Sequence, residues 1–211
     1  MKTSGTISGS VQSYLDQVVS TLRTLPMGEL EQVIGLLDEA RWARRTVFTC
    51  GNGGSAATAI HFAGDLAKGA MAPGKPSIKA LSLCENISLV TAWANDASYD
   101  DIFAERLAPW ARAGDVLIAI SGSGNSPNVL NAVRLARAVG ATTVALTGFK
   151  GGRLKDMVDV CVTVPCDCME QIEDVHLLVC HLVTTCLRGL PIPDAAALGE
   201  AAVASATVAA D

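Results

Sequence analysis

Little in the composition of this chain suits it to grip a polyanion, to pair its thiols or to cross a bilayer. Only 18% of the 211 residues are charged, and 16 basic side chains face 21 acidic ones, for a net charge of -5 and a pI near 5.2. A nucleic-acid surface needs a basic stripe, so that class is excluded, although backbone amides at a helix N-terminus can still hold a small anion. The seven cysteines are odd in number and lack a secretory context, which argues against a disulfide framework and for reduced thiols. Cys166 and Cys168 form a C-x-C pair without the two-residue spacer usual in structural zinc sites. The first twenty residues have no apolar signal core, and no stretch reads as a membrane-spanning helix, so a cytoplasmic protein without membrane contact is expected. Aromatic residues are also scarce, at 4%, which leaves the core to Val, Leu, Ile and Ala.

That aliphatic core is ample, because half the chain is hydrophobic. Its length suits one folding unit, here residues 1–190, followed by an Ala-rich tail, 191–211, with no assigned function. Apolar positions at helical spacing (Leu15, Val18, Val19, Leu22, then Leu30, Val33, Ile34, Leu37) predict two N-terminal helices, parted by Pro26-Met27-Gly28. Short apolar runs then recur at Thr46–Cys50, Ile78–Leu83, Val116–Ile120, Thr142–Leu146 and Val160–Val164. Helical patterns separate most of them, the signature of an α/β fold with a parallel, doubly wound sheet. A last long helix is expected from about Met169 to Leu187.

Two strand-to-helix loops stand out. The first, Gly51-Asn52-Gly53-Gly54-Ser55, combines conformational freedom with a serine at a helix start. Alone such a loop is more often only a tight turn than an anion site, and it carries neither the dinucleotide fingerprint nor a P-loop lysine. The second, Ser121-Gly122-Ser123-Gly124-Asn125-Ser126, brings three hydroxyls to one helix N-terminus, a suitable cradle for a phosphate monoester dianion. Three histidines exist in all, and His61 lies one helical turn before Asp65, which is chelate spacing and equally the spacing of an intrahelical hydrogen bond.

These loops, with His61-Phe62-Ala63, Ala94-Asn95-Asp96, Gly114-Asp115-Val116-Leu117, Leu146-Thr147-Gly148, Gly151-Gly152 and Gln171 through His176, closely resemble the SIS (sugar isomerase) family and its phosphoheptose isomerases. The resemblance covers roughly residues 10–190. It implies a three-layer αβα sandwich around a five-stranded parallel sheet of flavodoxin-like type, with two N-terminal helices. It also implies a homotetramer with active sites at subunit interfaces, acting on a phosphorylated sugar. Ser121, Ser123 and Ser126, with the backbone of Gly122, would hold the phosphate. Asn52, Gly53, Ser55, Asp96 and Glu173 would meet the substrate, and His61, Asp65, Glu173 and His181 would bind zinc. Asp65 and His181 are then the acid/base pair of an aldose–ketose isomerisation through an enediol. Relatives carry glutamate at position 65 and glutamine at 173, so this chain shortens one acid and gains another. Glu173 and His181 lie eight residues apart, a rise of about 12 Å in continuous helix. Joining both to one ion therefore requires a helix that starts after Glu173, or a ligand from a neighbouring subunit. His176 is expected to line or support the site, and Lys68 stands where many relatives have a nearby arginine. D-sedoheptulose 7-phosphate is the substrate this resemblance implies. The alternatives are a non-catalytic SIS adaptor that binds a replication initiator protein, and an isomerase or sensor for another phosphosugar.

Overall fold

The structure is a computed structural model, and residues 6–193 are described; the tail from 194 onward lies outside them. Five strands, β1 (Thr46–Gly51), β2 (Lys79–Ser82), β3 (Val116–Ser121), β4 (Thr142–Thr147) and β5 (Val160–Thr163), form one parallel sheet in the order β2-β1-β3-β4-β5. The expected strands are thus all present, within a residue or so at each end. The helices are α1 (Ile7–Leu22), α2 (Met27–Trp42), α3 (Gly54–Gly64), α4 (Ile87–Asp96), α5 (Ile102–Leu107), α6 (Pro127–Ala138) and α7 (Met169–Gly189).

Alternation along the strands feeds two separate cores. Val47, Val116, Ile118, Val144 and Val162 face α2, α3 and α7, where Leu30, Leu37, Phe62, Val175 and Val179 meet them. Phe48, Leu117, Ala119 and Ala145 face α5 and α6, against Phe103, Leu107, Leu130 and Val133. Every residue of central β3 is buried, as expected for a strand covered on both sides. The order is doubly wound, and its switch point lies between β1 and β3, where ligands of such sheets bind beyond the carboxyl ends.

Polar contacts tie the elements that position the site. Helix α1 docks on α7, with the Tyr14 hydroxyl donating to Asp174 Oδ2 at 2.5 Å and Gln171 Nε2 donating to Gln17 Oε1 at 2.9 Å. The C-terminal carbonyls of α7 accept from two cations: Leu187 O from buried Arg41 Nη1 (3.0 Å) and from Lys75 Nζ (3.1 Å). Positive charge there also complements the helix dipole. The outer face of α1 keeps Ile7, Val11, Leu15 and Val19 exposed at four-residue spacing, and α4 buries none of its residues while exposing Ile87 and Leu89. Among the described residues no helix is long and apolar enough to cross a membrane.

Buried Asp115 stitches the start of β1 to the turn before β3, because its two oxygens accept from Thr46 N and Arg112 N, both at 2.8 Å. Asp115→Ala strands both donors and should cost about 3 kcal/mol, seen as a lower urea midpoint at unchanged slope. Asp115→Asn keeps one acceptor oxygen and should recover roughly half of that loss.

Candidate active site

Parallel pairing of β1 with β3 sets Gly51 beside Ile120, so both loops leave the sheet side by side. Gly51 cannot carry a side chain, since an added Cβ would stand 2.7 Å from Ser55 O and 2.8 Å from Ile120 O, both backbone atoms. The serine loop crosses a second glycine pair: Gly124, at φ +64°, lies directly on the backbone of Gly151 and Gly152. Gly148 N donating to Gly122 O (2.9 Å) and Leu154 N to Gly124 O (3.0 Å) fasten the loop from the β4 side.

Asn52, Ser55, Ser121, Gly122, Ser123, Ser126, Met169 and Glu173 line a cleft of about 360 Å³ between the loops. Ser126 is the N-cap residue of α6 and makes no side-chain cap bond; its hydroxyl turns to Ser121 Oγ, 3.4 Å away. The hydroxyl is therefore not consumed in ending the helix, which favours the ligand-binding reading of this loop. Seven of the residues expected to meet the substrate or its phosphate thus share one cleft. Gly53 is the N-cap of α3 beside it, and Asp96 ends α4 in solvent, accepting from Asn95 Nδ2 at 2.7 Å, outside the cleft lining.

The second constellation lies further along the seam between α3 and α7. His61 Nε2 and His181 Nε2 are 2.9 Å apart, and Asp65 Oδ2 lies 3.3 Å from the first and 3.6 Å from the second. Immediately after α3 the helix widens into a π turn, Asp65–Gly69, with Ala70 N donating to Asp65 O at 2.8 Å. Such turns re-aim side chains and recur at functional sites. The absence of a side chain at Gly69 leaves room for the Asp65 carboxylate, since a Cβ there would stand 3.4 Å from Oδ1 and 3.1 Å from Thr184 Cγ2. Two imidazoles and a carboxylate converging half-exposed form a possible metal-binding triad. Donors at about 2.0–2.1 Å from a tetrahedral zinc sit roughly 3.3 Å apart, and the three observed spacings bracket that value. Neighbouring Cys180 is not among the three converging donors, and burial, with Asp65 nearby, pushes its thiol well up.

Glu173, the fourth expected ligand, does not join this group within one chain. Helix α7 runs unbroken from Met169 to Gly189, which removes the expectation of a helix starting after Glu173. Its carboxylate lies instead against Gly54 at the start of α3, in the cleft between the loops, and has no hydrogen bond or ion pair among the described residues. The seam thus has two stations: Gly54 beside Glu173, and seven to eight residues on, His61 beside His181. Lys68 is exposed and lies outside the cleft lining, and Cys166 and Cys168 join no donor group among the described residues. Two cleft features went unread in the sequence. Met169 packs on Gly122, and buried Asn128 bonds to Asn52.

His176 is buried behind the cleft, with Nε2 donating to Thr147 O at 3.1 Å and Nδ1 left without a partner among the described residues. It supports the site from within the core and does not line it.

Comparison with known proteins places this geometry. The SIS domain family pattern matches residues 11–148, and the chain belongs to that family. A phosphoheptose isomerase of Akkermansia muciniphila is 40% identical over 156 residues, covering 74% of this chain and 82% of that one. The phosphoheptose isomerase of Mycobacterium bovis is 46% identical over 138 residues, 65% of this chain and 70% of the relative. The solved phosphoheptose isomerase of Neisseria gonorrhoeae superposes with a TM-score of 0.81 at 30% identity, covering 88% of this chain and all of that one. Within the SIS family the chain therefore stands on the phosphoheptose isomerase branch.

Burial drives the His176 pKa from 6.5 down to about 4, against a smaller opposing effect of its bond to Thr147. The folded protein holds it neutral while the unfolded chain takes up a proton below about 6.5, so this contribution is present above that pH and is lost as pH falls towards 4. Stability from urea unfolding should drop by about 2 kcal/mol between pH 7 and pH 5 on this account. His176→Gln should be less stable at pH 7 but should lack that component of the decline.

Proposed function

We propose that the chain is a cytoplasmic aldose–ketose isomerase that interconverts D-sedoheptulose 7-phosphate and D-glycero-D-manno-heptose 7-phosphate through an enediol. The observation that carries this reading is a hydroxyl-lined anion cleft and an acid/base donor group on one α3–α7 seam. The two stations of that seam are about 10–12 Å apart along the helices. An extended seven-carbon sugar measures roughly 10 Å from phosphorus to C1 by ordinary bond lengths, so the spacing suits a chain of this size. The relatives named above support the same substrate.

In this mechanism the hydroxyls of Ser121, Ser123 and Ser126, with the amides around Gly122 and the N-terminus of α6, hold the phosphate dianion. Asn52, Ser55 and the unpaired carboxylate of Glu173 meet sugar oxygens beyond it, beside the Gly53 backbone. Asp65 and His181 move the proton between C1 and C2 and exchange protons with the two oxygens. His61, Asp65 and His181 are the residues that would hold zinc. Glu173 of the same chain does not reach that group, so a fourth protein ligand would have to come from a neighbouring copy. A bound zinc would supply electrophilic stabilisation of the charge that develops on the enediolate oxygen. A non-catalytic adaptor would be free to lose Asp65 and His181, and their convergence weighs against that alternative.

The apolar stripe of α1 and the uncovered face of α4 support assembly into a homotetramer, in which Asp96 at the end of α4 would face a neighbouring copy. Light scattering should report four chains, and a monomer at micromolar concentration would remove the shared site from this account.

A panel of five- to eight-carbon ketose phosphates, assayed for aldose products with and without zinc, tests the activity. The heptulose phosphate should be the best substrate, and metal removal should slow the reaction reversibly. Asp65→Asn and His181→Ala should each lower kcat by about 10²–10⁴ with little change in unfolding. Normal rates in both variants would refute the acid/base assignment, and full activity in metal-free protein would refute only the metal.

A further inference from the structure

Asn52 reaches the cleft, yet most of its amide is already engaged. Its Nδ2 donates to Asn128 Oδ1 at 2.8 Å, its Oδ1 accepts from Asn128 Nδ2 at 2.9 Å, and the Tyr99 hydroxyl donates to the same Oδ1 at 3.0 Å. Asn128 is 1% exposed and is itself oriented by the backbone, since its Oδ1 also accepts from Val129 N at 2.9 Å. A backbone N–H can only donate, so the Asn128 oxygen must face it, and the reciprocal pair then dictates which way round the Asn52 amide stands. Both acceptor positions of Asn52 Oδ1 are taken. The group it has left to offer a ligand is one N–H.

We infer that Asn128 and Tyr99 are positioning residues that lock Asn52 as an obligatory hydrogen-bond donor, so that the first loop recognises an acceptor oxygen of the sugar phosphate. Asn128 extends from α6, directly after the serine loop, and Tyr99 from the 3-10 turn after α4 (Tyr99–Asp101). The amide pair is also a direct side-chain bond from the first loop to the helix that the second loop feeds, so the donor on the first is held in register with the hydroxyls on the second. An amide free to flip would offer its oxygen half the time and repel the same ligand atom. The inference rests on the isomerase reading for its ligand, but not for the network itself.

Tyr99 is largely exposed, so Tyr99→Phe removes one hydroxyl without threatening the fold. A double-mutant cycle with Asn52→Ala, measured as kcat and KM for sedoheptulose 7-phosphate, gives the decisive reading. Tyr99→Phe should lower kcat/KM about 5- to 10-fold at an unchanged unfolding midpoint, and by less than about 2-fold when Asn52 is already Ala. Additive losses, or no loss in the single variant, would overturn the inference. A second arm needs no substrate: side-chain amide NMR cross-peaks of Asn52 and Asn128, assigned by their disappearance in the Asn52→Ala and Asn128→Ala proteins. The Asn52 peak should move in Tyr99→Phe while the backbone spectrum stays in place, and an unmoved peak refutes the lock. If the wild type isomerises no ketose phosphate, the isomerase reading fails and this spectrum still decides the positioning.

Discussion

The parallel pairing of β1 with β3, in the register that sets Gly51 against Ile120, is the constraint on which the rest depends. Two neighbouring parallel strands end at the same edge, so whatever follows each must share that edge. Here glycine-rich turns follow, small enough for their backbones to approach, and each feeds a helix whose first amides face the same space. The crossing of Gly124 with Gly151 and Gly152 extends the constraint to the connection between β4 and β5. The geometry of the cleft is therefore set by backbone positions that the sheet holds fixed, and the side chains only decorate them.

Most of the scaffold was legible because buried parallel strands read as short continuous aliphatic runs. The run Ile78–Leu83 is longer than β2, since Ile78 and Leu83 are buried without belonging to the ladder. Helical spacing located α1, α2 and α7 because proline and glycine part the first two and polar residues flank the third. The serine loop was legible from its hydroxyls alone. The donor triad was legible only through the family resemblance, because local spacing joins His61 to Asp65 but only the packing of α3 on α7 brings His181 to them. The same packing separates Glu173 from His181, for reasons of helical rise that the sequence already contained. Asn128 and Tyr99 were invisible for a different reason: an amide pair between a loop and a helix start leaves no periodic trace, and both residues are ordinary at turns and helix starts.

His176 shows how a site can be supported by a group that never touches it. A neutral imidazole bonded to Thr147 O ties α7 to the end of β4, beside the turn that braces the serine loop. Its unpartnered Nδ1 is a polar cost carried in the core. An apolar residue would remove that cost and the tie together.

The π turn after His61 has a consequence for how such a chain can change length over evolutionary time. A π turn is an α-helical turn with one residue too many. Removing a residue between Leu66 and Gly69 would close it into ordinary helix, leaving Gly54 to Gly64 where they are. Removing one between Ser55 and Ile60 would instead swing His61 by about 100° around the helix, off the seam it shares with His181. Changes of length are thus absorbed just after Asp65, in a stretch that acts as slack, while the segment joining the first glycine-rich loop to the first imidazole works as a ruler of fixed length.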